Sequence, residues 1–223
     1  MLIANCNICQ EILGAAFSAH GPEYENIVRE GNNVLAQTEN LLVIPSIGPL
    51  NDSHVMIVPK THCNSFGALP TACNDEKFAL IKSLREHYFS HFNKELLFFE
   101  SGAGTLINHS GGCIFHAHIH VVEAQELFHT RLLAEVKLIE ISAGNPTSPD
   151  LNLGYIWYMN AEGHQYLCNN PMLPSQFLRY TYAQCAGHET MWNWRRHSNI
   201  AGVKKALETY RNLKVLPASA APL

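Results

Sequence analysis

The sequence predicts an α+β fold on an antiparallel sheet, and three features carry that expectation. Short runs rich in Val, Ile, Leu and Phe are separated by Gly, Pro, Asn and Asp, as in strands joined by turns. One long stretch, Pro70 to about His91, repeats apolar residues at helical spacing through Phe78, Ile81, Leu84, Tyr88 and Phe92. The resulting order of hairpin, strand, helix, strand and strand is that of an α+β domain.

The individual elements follow in order. Cys6-Asn7-Ile8-Cys9 reads as a turn, followed by a loop-like stretch to about Asn33. Val34–Gln37 and Leu41–Ile44 flank Thr38-Glu39-Asn40 as a hairpin. His54–Val58 is a β-branched, apolar strand that Pro59 ends. After the long helix come a strand at Leu96–Glu100, a glycine-bearing loop from Gly102 to Gly112, and a strand from Ile114 to Glu123. This gives a core of residues 1–124. The remainder, 125–223, reads as an extension: a helix from Gln125 to Val136, a linker at Asn145–Asp150, and a hairpin of Gly154–Tyr158 with Gln165–Cys168. Two further helices, Ser175–Ala186 and Asn199–Leu213, follow. The extension either completes the first domain or forms a lid.

Hydrophobic residues make up 47% of the 223 and charged residues 15%, a globular composition. The formal net charge of −4 gives no general attraction for nucleic acid or anionic membrane, which favours a small-molecule partner. No basic, apolar leader opens the sequence and no apolar run approaches a membrane span. Seven cysteines, an odd number, with one close pair read as a reducing, cytoplasmic setting with a metal knuckle, not a disulfide framework.

The chemical signal is His116-Ala117-His118-Ile119-His120 inside an apolar run. Alternate strand residues share a face, so the three imidazoles are expected to project together while Ala117, Ile119 and Val121 enter the core. Such a face offers a nucleophile, proton carriers or metal ligands. Upstream, His54-Val55-Met56-Ile57-Val58-Pro59-Lys60-Thr61-His62 adds two more histidines. Gly111 and Gly112 fit either a phosphate-cradling loop or an ordinary turn.

With Cys6-Asn7-Ile8-Cys9 and Gly48-Pro49, these stretches resemble the histidine triad (HIT) superfamily of nucleotide hydrolases and transferases, in the family's order over roughly residues 5 to 123. The resemblance implies that His118 attacks an α-phosphorus and forms a covalent nucleotidyl-imidazole, with His120 and His54 binding the phosphate oxygens. It implies a structural zinc held by Cys6, Cys9, His62 and His116, which removes His116 from catalysis. A redox dithiol fits less well, because no helix or thioredoxin-like βαβ unit is expected after the cysteine pair. The resemblance also suggests a homodimer. A histidine at position 120, where the related uridylyltransferases carry glutamine, favours a hydrolase over a transferase.

Two departures stand out. Many members place Gln and Ser or Thr before the triad, where this chain has Gly112-Cys113, and a thiol is a weak donor to a leaving group. The ribose-binding position falls on Ser46, which still offers one hydrogen bond, while Glu100, Asn108 and His109 lie near by sequence. In the extension, Gln176 and Arg179 share a helix face, and Arg179 and Arg195 either meet distal phosphates or simply pack. Three readings remain open: nucleotide phosphate hydrolase or transferase, a zinc-stabilised nucleotide-binding protein with little catalysis, and a metal-dependent hydrolase.

Overall fold

The computed structural model describes residues 5–15, 21–106, 110–111, 114–145 and 147–216. The expected loop before Asn33 contains two helices, α1 (Asn7–Ile12) and α2 (Pro22–Arg29). α1 is too short to show a helical period in sequence. α2 carries legible end signals: Pro22 in its first turn beside Glu23 and Glu25, and Arg29 in its last. Cys9 therefore sits inside a helix, which corrects the expectation of none, while α1 and α2 precede the antiparallel strands and form no βαβ unit with them.

Strands β1 (Ala36–Gln37), β2 (Leu41–Pro45) and β3 (Val55–Pro59) lead into α3 (Ala72–Phe92), which Asn93 ends in the left-handed conformation. Strand β4 (Leu96–Gly102) and strand β5 (Ile119–Glu123) follow, so the expected ten-residue histidine strand is half that length. Then come α4 (Glu126–Glu135), β6 (Ile139–Ile141), β7 (Tyr155–Met159), β8 (Gln165–Asn169), α5 (Phe177–Cys185) and α6 (Ile200–Thr209). β6 escaped the sequence reading because a three-residue, largely exposed strand has no alternation to detect.

All eight strands form one antiparallel sheet in the order β1-β2-β3-β5-β4-β7-β8-β6. β7 pairs with β4 from Phe98–Met159 to Gly102–Tyr155, so the C-terminal hairpin continues the sheet of the first 124 residues. The strand period of two then sorts the side chains. Ile119, Val121, Phe98 and Trp157 face α3, packing with Leu80, Ile81 and Leu84. Leu97, Phe99, Val122 and Tyr158 face the other way, against Phe128 and Leu132 of α4 and Leu178 and Tyr182 of α5. Tyr182 fastens α5 to the sheet: its hydroxyl donates to the Glu123 carbonyl at 2.7 Å and accepts from Asn51 Nδ2 at 2.6 Å.

Glu100, near the site by sequence, faces α3 instead. Its carboxylate accepts from Phe66 N–H and Tyr155 O–H, both at 2.7 Å. Burial pushes its pKa up to about 7, and the two donors and Lys77 only partly oppose that rise. A carboxyl that holds its proton to pH 7 when folded, against an ordinary value of 4.5, favours folding most below pH 4.5 and progressively less up to and past pH 7. Chemical denaturation at pH 5 and pH 8 should therefore show the wild type losing about 2–3 kcal/mol relative to Glu100→Gln. Parallel pH profiles for the two proteins would contradict this assignment.

Candidate functional site

On the face opposite α3, Met56, His120 and Phe99 are cross-strand neighbours on β3, β5 and β4. His120 thus sits mid-sheet, its ring centroid 4.9 Å from that of Phe99. His118 lies just before β5, its ring edge-on to His120 at 4.7 Å. Both rings border a recess of about 400 Å³, which Asn7, Ile8, Ser46, Met56, Trp194 and Arg179 also line. A second recess of about 250 Å³ shares His118, His120 and Arg179 and adds Phe99, Gly111 and Gln176.

The hydrogen bonds assign the tautomers. Leu50 N–H can only donate, so His54 Nδ1 accepts it at 2.9 Å and the His54 proton lies on Nε2. That proton is donated to His120 Nδ1, 2.9 Å away, which leaves neutral His120 with an N–H at Nε2. His118 Nδ1 donates to the His116 carbonyl at 2.7 Å, so its Nε2 carries the lone pair. Burial holds His54, His118 and His120 below the usual imidazole range, and the nearby Arg179 charge lowers all three further. The constellation therefore offers an unprotonated nitrogen beside a neutral N–H donor. His54 is fully buried and does not border either recess; it acts through His120.

His116 turns away from this pair. Its Nε2 donates to the Pro59 carbonyl at 2.9 Å, leaving Nδ1 3.5 Å from Cys6 Sγ and 3.3 Å from Cys9 Sγ. Cys9 Sγ is also 3.3 Å from His62 Nδ1. The four donor atoms lie within 4.8 Å of one another. Sulfur and nitrogen ligands on a tetrahedral zinc-sized cation are separated by about 3.5 Å, so the set fits such a metal. The Pro59 bond fixes the tautomer that presents Nδ1 to it. The three alternating histidines thus divide between two sites, because only His120 lies within the regular strand.

Among the other expected residues, Ser46 lines the larger recess and Gly111 the smaller. Asn108, His109, Gly112 and Cys113 lie outside the described residues. Arg195 is exposed, its guanidinium 5.1 Å from the Trp194 ring, and borders neither recess. Trp194 and Asn7 were not singled out from the sequence. Gly48 gives the structural signal for Trp194: a Cβ there would lie 2.6 Å from the Trp194 Cβ, so the close approach requires glycine.

The sequence model of a family described as "Protein similar to CwfJ C-terminal" matches residues 24–132, a span that includes His54, His62 and the alternating histidines. No curated protein matches the chain. Among solved structures, it is similar to a HIT family protein from Bacillus anthracis at 18% identity, over 54% of this chain and 73% of that one, with a TM-score of 0.42. A zinc-bound histidine triad family protein from Mycobacterium smegmatis is 18% identical over 55% of this chain and 76% of its own, with a TM-score of 0.41. A histidine triad protein from Clostridium difficile shows 17% identity over 56% and 96%, with a TM-score of 0.38.

The cluster geometry makes a direct prediction. Elemental analysis of the purified protein should find about one divalent cation per chain, and Cys9→Ser combined with His62→Ala should lose it and melt at lower temperature. Unchanged metal stoichiometry in the double variant would show that these residues are not the ligands.

Proposed function

We propose that this chain hydrolyses a nucleoside phosphoramidate, dinucleoside polyphosphate or related nucleotide conjugate through a covalent nucleotidyl-His118 intermediate. The observation that carries the reading is the His118 ring, whose Nδ1–H is tied to the His116 carbonyl so that Nε2 presents a lone pair at the recess. Attack by Nε2 on the α-phosphorus forms a P–N bond as the bond to the leaving group breaks. The His118 ring becomes positively charged, and the carbonyl accepting its Nδ1–H stabilises that charge. His120 Nε2–H donates to a phosphoryl oxygen, with His54 holding its tautomer. The departing amine or phosphate takes any proton it needs from solvent. Water then attacks phosphorus and releases its proton to solvent as the P–N bond breaks, and neutral His118 returns with its Nδ1–H kept.

Zinc is the cation proposed for Cys6, Cys9, His62 and His116, where it would supply structure by joining α1 to the segment before β5. Ser46 is assigned to the ribose, and the apolar wall of Ile8, Met56 and Trp194 suits a base. That wall also favours a second reading, a nucleotide-binding protein of the same fold with little turnover. Transfer to an acceptor other than water would use the same intermediate. A reducing, cytoplasmic setting agrees with the free cysteines among the described residues.

Adenosine 5′-phosphoramidate and diadenosine tetraphosphate should each be cleaved by the wild type, with His118→Ala slower by at least ~10³-fold. Alkaline-quenched wild type should gain the mass of one nucleotidyl group, and His118→Ala should not. Equal turnover by both proteins would exclude His118 as nucleophile. Tight AMP binding without turnover would establish the binding-protein reading.

A further inference from the structure

The C-terminal segment places the first turn of α5 against the histidines. Gln176, immediately before α5, and Arg179, one turn later, both border the recess formed with His118 and His120. Gln176 is unusual in two independent ways. Its backbone is left-handed, with φ 62° and ψ 23°, a conformation that disfavours a side chain of this kind. Its side-chain oxygen is also buried and accepts no hydrogen bond among the described residues, although the residue is only 7% exposed. A buried amide oxygen without a donor costs stability, and so does the backbone conformation. Two such costs at one position that borders the recess point to a ligand.

Arg179 supplies the complementary element. It is the only Lys or Arg among the described residues lining the two recesses, and it remains charged at any working pH. Its side chain is fixed by donating from Nε to the Trp192 carbonyl at 2.8 Å and from Nη2 to the Gly48 carbonyl at 2.6 Å. The guanidinium is thus a rigid, buried positive charge over the site.

We infer that the start of α5 is a specificity subsite: Gln176 Oε1 accepts a hydrogen bond from an N–H or O–H on the group bonded to phosphorus, while the Arg179 charge offsets the phosphoryl oxygens. The inference rests on the nucleotide reading above and narrows it to phosphoryl compounds whose substituent carries a donor, such as a P–NH₂ amide. An amide nitrogen that departs as an amine becomes a stronger donor as it is protonated, so the Gln176 bond gains strength as the P–N bond breaks.

The test uses a matched pair, adenosine 5′-phosphoramidate and adenosine 5′-phosphorofluoridate, which differ in one small group with and without a donor. Gln176→Met keeps similar length and the same backbone cost but lacks an acceptor. It should lose about tenfold more kcat/KM on the phosphoramidate than on the phosphorofluoridate, the equivalent of one hydrogen bond. Arg179→Met should weaken both compounds together, and Arg179→Lys should recover part of that loss, with melting curves confirming that each variant folds. A wild-type ratio of the two substrates in Gln176→Met overturns the subsite alone. A wild type that neither binds AMP nor cleaves either compound overturns the nucleotide reading and the subsite with it.

Discussion

The hydrogen bond from His118 Nδ1 to the His116 carbonyl, 2.7 Å long, joins the cysteine–histidine cluster to the histidine-lined recess. It fixes which nitrogen of His118 is available, and it does so through the backbone of a residue whose ring belongs elsewhere. That ring is held at both nitrogens, by the Pro59 carbonyl on one side and the cysteine pair on the other. A shift of His116 would therefore move the carbonyl and with it the orientation of His118. The metal-type cluster and the His118–His120 pair are separate sites with a shared backbone, so loss of the cluster would reach His118 through geometry.

The other controlling arrangement is the pairing of β7 with β4. By extending the sheet past β4, it carries the following helices back over the face that holds His120. Tyr182 then closes the gap between α5 and the end of β5, and Arg179 bonds the Gly48 carbonyl across the recess. Gly48 permits this because any side chain there would strike Trp194. The C-terminal segment is consequently part of the site's wall, and its Gln176 bears local costs that the fold alone does not explain.

Much of this was legible from residue pattern. The order from the first hairpin through the long helix to β5 appears as spacing or periodicity, the four metal-type ligands are implied by the family resemblance, and the structure brings Cys6, Cys9, His62 and His116 within reach of one another. The sequence predicts Gln176 and Arg179 on one helix face, whereas α5 begins at Phe177 and Gln176 precedes it in the left-handed conformation, both still bordering the recess. What it could not show was which wall that face meets, since this depends on a β4–β7 pairing between segments far apart in the chain. His54 misled for a related reason. The family resemblance implies that it binds phosphate oxygens, but the Leu50 N–H and His120 fill both its ring nitrogens. Glu100 is the converse case: adjacent to Phe99 in sequence, it is sent to the opposite face by a single step of the strand.

That single step also explains how one sheet can carry both a packed core and a histidine-lined recess. In β5, Ile119 and Val121 enter the cluster beneath α3, where packing density sets their cost of replacement. His120, between them, meets only the opposite layer, where it borders the recess. The two buried imidazoles are tolerated there because each has a partner: His54 for His120, and the His116 carbonyl for His118. The imidazoles gain their fixed tautomers from the same burial that keeps them uncharged. Rigidity and an uncharged His118 therefore have a common cause, and the alternating sequence separates both from the hydrophobic contacts that hold the sheet together.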